Sequence, residues 1–86
     1  MVRMVRIMKI KLNLYASLAE YLPDRARGNP NVLELPERTT IKQLIEQLHI
    51  PLDTPRIIFL NGAHAPLEAF LNDGDRLGMF PPLAGG

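Results

Sequence analysis

The feature that most constrains this chain is a strict alternation of apolar and polar residues close to its amino terminus. Between Met8 and Leu14 the residues run Met, Lys, Ile, Lys, Leu, Asn, Leu. Successive side chains of a β-strand point to opposite faces of a sheet, so this alternation predicts a half-buried strand. The residues expected to face the core are Met8, Ile10, Leu12 and Leu14.

Two segments carry the pattern of a helix start, in which Ser or Thr is followed three residues later by Glu or Gln. Ser17 and Glu20 have this spacing and predict a short helix or helical turn. Thr40 and Gln43 have the same spacing and begin the main helix. Pro51 is expected to stop that helix. The apolar face of the main helix consists of Ile41, Leu44, Ile45 and Leu48.

Three further strands are predicted, at residues 31–35, 56–60 and 76–80. Asn61 and Gly62 follow the second of these and are a strong hairpin-turn signal. Residues 24–30 have loop composition, and residues 63–71 are ambiguous, with a short strand and a turn of helix around Pro66 expected. The order strand, strand, helix, strand, strand predicts an α+β sheet covered on one face by a helix.

Length and composition place the chain among small globular domains. It has 86 residues, of which 47% are hydrophobic, so we expect one core and one domain. There is no cysteine, which excludes disulfides, thiolate metal sites and a cysteine nucleophile, so any sulfur that this protein handles must be borrowed. Neither a secretory signal nor a membrane-length apolar segment is evident, and we expect a soluble cytoplasmic protein.

The charged and metal-ligating side chains give weaker signals. A net charge of +1 predicts no nucleic-acid partner. His49 and His64 lack histidine-pair spacing, so no metal site is expected, and His49 more simply complements a helix dipole. Asp73 and Asp75 favour a turn over a calcium or magnesium site. A local basic cluster consists of Arg3, Arg6, Lys9 and Lys11.

The basic cluster has two interpretations. The favoured one is a solvated strand face whose lysines oppose edge-to-edge aggregation. The alternative is docking to an acidic surface of a partner, because clustered cations attract carboxylates.

The carboxyl-terminal residues carry the clearest chemical signal. Pro81 and Pro82 cannot donate to a sheet ladder, so the backbone is expected to leave the domain as an extended arm. The four residues that follow can reach about 13–14 Å at roughly 3.3–3.6 Å each. Gly85 and Gly86 lack Cβ atoms, which would let the arm pass a narrow channel. The Gly86 carboxylate is inert as an electrophile until it is activated, for example as a mixed anhydride with a nucleotide. An untethered terminus is the alternative.

The ending Phe80, Pro81, Pro82, Leu83, Ala84, Gly85, Gly86, preceded by Asp73, Gly74 and Asp75, resembles the MoaD/ThiS family of ubiquitin-like sulfur carriers. It is most similar to the branch formed by the small subunits of molybdopterin synthase, for which FPP-x-x-GG is rather specific. The resemblance begins at about Met8. It implies a β-grasp fold, a mixed sheet of about four to five strands covered by one main helix, with the first and last strands adjacent and parallel. The implied domain is 1–82, with a possible extension at 1–7, followed by a tail at 83–86.

The resemblance also implies a mechanism that centres on Gly86. An E1-like adenylating enzyme of the MoeB/ThiF type would use ATP to adenylate its carboxylate, and a sulfur donor such as a cysteine desulfurase or rhodanese would convert the adenylate to a thiocarboxylate. The tail would then enter the large subunit of molybdopterin synthase, where sulfur is transferred to the pterin. The chain itself is expected to bind no cofactor and to be a non-catalytic subunit. The residues implied in tail binding are Pro81, Pro82, Leu83, Ala84 and Gly85.

Three residues outside the tail are implied in docking. Tyr15 and Phe80 match positions where the family presents aromatic residues to partners, although burial in the core is an equal alternative for each. His64 falls where the family often has an apolar docking residue. Two other functions stay open: delivery of sulfur to thiamine, cysteine or tRNA thiolation, and ubiquitin-like modification of proteins.

Overall fold

The computed structural model describes residues 6–23, 31–53 and 56–82. In chain order the described elements are β1 (Ile7–Leu14), a 3-10 helix (Ala16–Tyr21), β2 (Val32–Pro36), α1 (Ile41–Gln47), β3 (Ile57–Leu60), β4 (Ala63–His64) and β5 (Arg76–Phe80). Every predicted strand is present, and the ambiguous stretch begins with the short β4, as expected. Ile7, assigned to a possible extension, belongs to β1. The predicted loop at 24–30 lies outside the described residues.

The five described strands pair in the order β2-β1-β5-β3-β4. The first and last, β1 and β5, lie side by side and parallel, with Lys11 opposite Arg76 and Leu14 opposite Met79. The other three pairs are antiparallel. The predicted mixed sheet and the predicted parallel pairing are therefore confirmed. As a consequence, β5, the strand that leads to the carboxyl-terminal tail, lies at the centre of the sheet.

One face of the sheet packs with the helices around the core. All four residues predicted to be buried on β1 are at most 7% exposed. The predicted apolar face of α1 is also buried, and β5 contributes Leu77 and Met79, both fully inaccessible to solvent. The alternate residues of the strands, such as Lys9 and Lys11, point to the other side. We call that second side of the sheet the open face.

The amino terminus of α1 is fixed by its predicted capping box. The Thr40 hydroxyl accepts a hydrogen bond from the Gln43 N–H at 3.1 Å, and the Gln43 side-chain oxygen accepts one from the Thr40 N–H at 2.9 Å. Two of the amide donors that a helix start leaves unpaired are thereby satisfied.

The carboxyl terminus of α1 differs from the prediction. Pro51 does not stop the helix, because α1 already ends at Gln47. His49 lies in the left-handed region, with φ of 65°, and donates its N–H to the Glu46 carbonyl at 3.1 Å. The N–H of Ile50 reaches back to the Ile45 carbonyl at 3.2 Å. These two bonds form a Schellman motif, which reverses the chain before the proline is reached.

The predicted capping role of Ser17 is wrong. The residue that precedes the 3-10 helix is Tyr15, and it makes no side-chain capping bond. The Tyr15 N–H donates to the Met79 carbonyl at 3.0 Å, which extends the pairing of β1 with β5 by one step. The helix begins immediately after this contact, so Ser17 lies within its first turn and is exposed.

Both predicted turns form with left-handed backbone. Asn61 and Gly62 have φ of 53° and 87°, the pattern of a type I′ hairpin turn, and they join β3 to β4. Gly74, with φ of 87°, lies in the turn before β5 and donates its N–H to the Lys9 carbonyl at 2.8 Å. The turn expected around Pro66 is a single turn, closed by the Ala69 N–H on the Pro66 carbonyl at 3.1 Å.

Candidate functional site

The exit from β5 is the part of the described chain nearest to the predicted reactive tail. The strand ends at Phe80, and the prolines that follow are half-buried at Pro81 and exposed at Pro82. Neither proline has an N–H for the ladder, which explains why the strand ends where it does. Leu83, Ala84, Gly85 and Gly86 lie outside the described residues. The roles assigned to these four residues therefore stay predictions.

The three predicted docking residues lie together on the open face. The Tyr15 ring, 49% exposed, meets the half-buried Phe80 ring edge-on, with centroids 5.4 Å apart. Phe59 stacks on Phe80 at 5.4 Å and contacts the exposed His64 ring at 4.3 Å. We call Tyr15, Phe59, His64 and Phe80 the aromatic cluster. Core burial, the alternative for Tyr15 and Phe80, does not occur for Tyr15.

Phe59 links the aromatic cluster, and the sequence interpretation missed it. Residues 57–60 form a continuous apolar run, which gives no alternation from which a face can be predicted. The hairpin turn, however, predicts which face of the sheet Phe59 occupies. A two-residue turn at Asn61 and Gly62 pairs Phe59 with His64 across the strands, as observed. Residues paired in this way share one face of a sheet, so the turn identifies Phe59 as a neighbour of a predicted docking residue.

A depression lies beside the aromatic cluster, with Gly78 as part of its floor. Gly78 occupies an outward-facing position of β5, between Asn13 of β1 and Phe59 of β3. The depression has a volume of about 330 Å³, and its walls include Tyr15, Phe80 and Arg76. A volume of this size accommodates one or two side chains of a partner and lies at the lower end of the range of small-molecule pockets.

Cationic side chains occupy the other half of the open face. Lys9 and Lys11 on β1 and Arg76 on β5 are exposed. Because β1 is paired on both sides, by β2 and β5, its lysines do not protect a sheet edge. The edge-protection part of the favoured interpretation is therefore wrong. Arg6 borders the start of β1, and Arg3 lies outside the described residues.

The polar residues that were considered as metal ligands have structural roles. Asp73 accepts a hydrogen bond from the Lys9 N–H at 2.7 Å, and Asp75 accepts from Asn61 at 3.0 Å and from the Asn72 N–H at 2.8 Å. The turn predicted for these aspartates is confirmed. Within the part of the chain that the structure describes, no three His, Asp or Glu side chains form a metal-binding group.

This arrangement is suited to binding a partner beside the end of β5. The aromatic cluster, the depression and the cations all lie on the one sheet face from which β5 leads to the tail. Side chains of this kind supply apolar area and charge for recognition. No helix in the described ranges has the length and apolarity needed to cross a membrane.

The chain is similar to known proteins in both sequence and structure. Residues 7–84 match the Mut7-C ubiquitin family. Curated protein sequences give no match. Small archaeal modifier protein 1 from Haloferax volcanii is 21% identical with a TM-score of 0.63, over 91% of this chain and 99% of that one. Its counterpart from Methanosarcina acetivorans is 21% identical with a TM-score of 0.63, over 94% and 99%.

A protein from Pyrococcus furiosus, provisionally described as molybdopterin converting factor, subunit 1, is 24% identical with a TM-score of 0.63, over 88% of this chain and 99% of that one. At these identities the likeness shows the fold, which is the ubiquitin-like β-grasp shared by small modifiers and sulfur carriers. The predicted resemblance to ubiquitin-like carriers is confirmed at that level. Because the sequence match extends over almost the whole chain, this protein belongs to the Mut7-C ubiquitin family of ubiquitin-like proteins.

Proposed function

We propose that this protein is a sulfur carrier whose reacting group is the carboxylate of Gly86. The observation that carries the proposal is the position of β5. This central strand ends at Phe80 beside the aromatic cluster, and the chain then continues through two prolines. In this proposal a partner that covers the aromatic cluster can reach Gly86, since four residues span about 13–14 Å when extended.

The chemistry requires partners that supply both energy and sulfur. An E1-like enzyme joins the Gly86 carboxylate to the α-phosphate of ATP, and pyrophosphate leaves. The terminal sulfur of a donor persulfide then displaces AMP from the acyl carbon. A thiol of the donor system cleaves the sulfur–sulfur bond, which leaves a thiocarboxylate on Gly86 and a disulfide on the donor system. This chain has no cysteine, so both sulfur steps depend on the partners.

Molybdopterin synthesis is the destination that we propose for the sulfur. The FPP-x-x-GG ending supports it, and the Pyrococcus furiosus protein described as molybdopterin converting factor has the same fold. In this function the chain is the small subunit of molybdopterin synthase, and its thiocarboxylate donates sulfur within the large subunit. Reconstitution with a cognate large subunit and the pterin precursor should yield the dithiolene. Sulfur transfer only to a thiamine, cysteine or tRNA acceptor would assign the carrier to another pathway.

Protein modification is the second candidate function. It is favoured by the likeness to small archaeal modifier proteins, which have the same fold. A modifier would transfer the activated Gly86 carbonyl to a lysine amine. Immunoblots of cell extract would then show higher-mass conjugates that survive reducing denaturation, whereas a dedicated carrier gives only the free protein.

Deletion of Gly86 separates the chemistry of the tail from the stability of the fold. After incubation with an E1-like enzyme, ATP and a sulfur donor, the intact chain should gain the mass difference between sulfur and oxygen at Gly86, and the shortened chain should not. The buried hydrophobic core of the described residues ends at Met79, so the melting temperature should be nearly unchanged. An intact chain that no cognate enzyme converts would exclude the carrier function. A large fall in melting temperature would show that the tail contributes to the fold.

A further inference from the structure

Three cationic side chains are concentrated at the centre of the sheet. Lys11 of β1 lies directly opposite Arg76 of β5, and Lys9 is the next residue along β1 that points to the same side. Neighbouring strands are about 4.8 Å apart and alternate residues about 6.7 Å apart, so the three residues occupy a small area. We call Lys9, Lys11 and Arg76 the cationic band.

Three carboxylates lie near the cationic band, and two of them accept hydrogen bonds. Asp73 accepts the Lys9 N–H at 2.7 Å, and both oxygens of Asp75 accept hydrogen bonds, from Asn61 and from the Asn72 N–H. Glu34 lies opposite Lys9, on the side away from Arg76. Within the described ranges, the side chains of the cationic band form no ion pair or hydrogen bond. Lys11 and Arg76 are therefore like charges held side by side with no carboxylate between them.

Neither stability nor edge protection accounts for the cationic band. Like charges opposite each other weaken strand pairing, and the two strands concerned are internal ones. An anionic partner would reduce this repulsion on binding, and it would meet cations whose side chains form no ion pair within the described ranges.

We propose that the cationic band is a docking site for an acidic segment of a protein partner that also covers the aromatic cluster. The depression over Gly78 connects the two areas, because Arg76 lines one side of it and Phe59 and Phe80 line the other. An apolar side chain of the partner fits the depression while neighbouring carboxylates meet the band. The inference rests on the proposed function in one respect: the partner that binds this site is taken to be the E1-like activating enzyme.

A protein partner fits these observations better than a single-stranded nucleic acid does. Phe59 and Phe80 stack on each other with centroids 5.4 Å apart, so the sides of these two rings that face each other cannot stack on bases. The net charge of +1 also provides no extended field for a phosphate backbone.

The site can be tested on the full chain with a defined probe. The probe is a short synthetic peptide in which Asp and Leu alternate, and its control is the same peptide with Asn in place of Asp. The test variant carries Lys11→Glu and Arg76→Glu, and the control variant carries Lys42→Glu, an exposed lysine of α1. Amide NMR spectra report both folding and the site of binding. If the double Glu variant does not fold, Lys11→Gln with Arg76→Gln replaces it.

The Asp peptide should shift the NMR signals of amides in β1 and β5, both in the wild type and in the Lys42→Glu variant. Its dissociation constant should rise at least tenfold in the double variant, and the Asn peptide should bind at least tenfold more weakly. In adenylation assays with a cognate E1-like enzyme, the KM for the double variant should rise at least tenfold. Equal peptide binding by wild type and double variant would overturn the proposal, as would tighter binding of a single-stranded oligonucleotide at the same amides.

The two proposals fail in distinguishable ways. If the wild type is never adenylated, the proposed function fails, while the peptide titration, which needs no enzyme, still decides the docking site. If the wild type is adenylated and the double variant has an unchanged KM, the carrier function stands and the role of the cationic band in activation is overturned.

Discussion

At the scale of single residues, the shape of the open face depends on Gly78, which has no side chain. Gly78 does not have a positive φ, so its backbone does not require glycine. A Cβ atom built there would lie 3.6 Å from Cε2 of Tyr15, which is an ordinary contact. Glycine at this position leaves the depression beside the aromatic cluster open, and a side chain as large as that of leucine would fill it.

Substitutions at Gly78 separate this role from folding. Gly78→Ala should keep the fold. It should raise the free energy of unfolding by no more than about 1 kcal/mol, because glycine is disfavoured relative to alanine within strands. Gly78→Leu should also fold but fill the depression, so its conversion to thiocarboxylate should be slowed while that of Gly78→Ala is not. Thermal unfolding and intact-mass measurements would check both effects. Equal conversion of the Leu variant and the wild type would show that partners do not use the depression.

Side-chain placement could be predicted where the sequence alternates and not elsewhere. The pattern around Ile10 and Leu12 identified the buried side of β1, because a period of two leaves one possible face. Phe59 was missed because its strand is apolar throughout, so its side depends on register with β4. The grouping of Lys11 with Arg76 depends on pairing between residues that are far apart in sequence, which no local pattern contains.

At the scale of elements, helix starts were predicted better than helix ends. Thr40 and Gln43 satisfy each other through bonds between their own side chains and backbones, so the start of α1 is encoded locally. The start of the 3-10 helix is set instead by the pairing of Tyr15 with Met79, and the similar pattern at Ser17 has no effect. The end of α1 is set by a left-handed residue, His49, in place of the expected proline.

His49 offers a test of that helix end. A non-glycine residue in the left-handed region costs roughly 1–2 kcal/mol, and the greater freedom of glycine in the unfolded chain offsets part of this gain. His49→Gly should therefore stabilise the protein by about 0.5–1 kcal/mol, which raises the melting temperature of a domain this size by roughly 2–8 °C.

The matched control is Gln47→Gly, two residues earlier and at the last residue of α1. There glycine should destabilise the protein by up to about 1 kcal/mol, because it replaces a good helix former in helical conformation. Denaturant unfolding would measure both changes. A loss of stability in both variants would show that the His49 side chain, and not its backbone conformation, is what the helix end requires.

At the scale of the whole molecule, the sequence predicts the composition of the sheet but not its order. The five strands follow from hydrophobic patterns and turn residues, whereas their arrangement as β2-β1-β5-β3-β4 requires contacts between the two ends of the chain. The parallel pairing of β1 with β5 was expected only from the resemblance to ubiquitin-like carriers. Such a pairing cannot begin until nearly the entire chain is available, because it joins Leu14 to Met79.

This arrangement predicts that stability depends sharply on where the chain is shortened. A chain that ends at Asp75 lacks the central strand, together with the fully buried Leu77 and Met79. Truncating one such side chain alone typically costs about 2–5 kcal/mol, and a chain of this length has a total stability of only about 4–13 kcal/mol. We therefore expect the chain ending at Asp75 to be unfolded, with collapsed amide dispersion in NMR spectra and no cooperative thermal transition. The chain ending at Pro82 keeps every buried hydrophobic residue described here and should unfold at nearly the same temperature as the full chain. If the proposed function is correct, it should not be adenylated. If the chain ending at Asp75 retained a cooperative transition, the elements that precede β5 would form a stable unit without it, and β5 would then be an addition to the domain and not its centre.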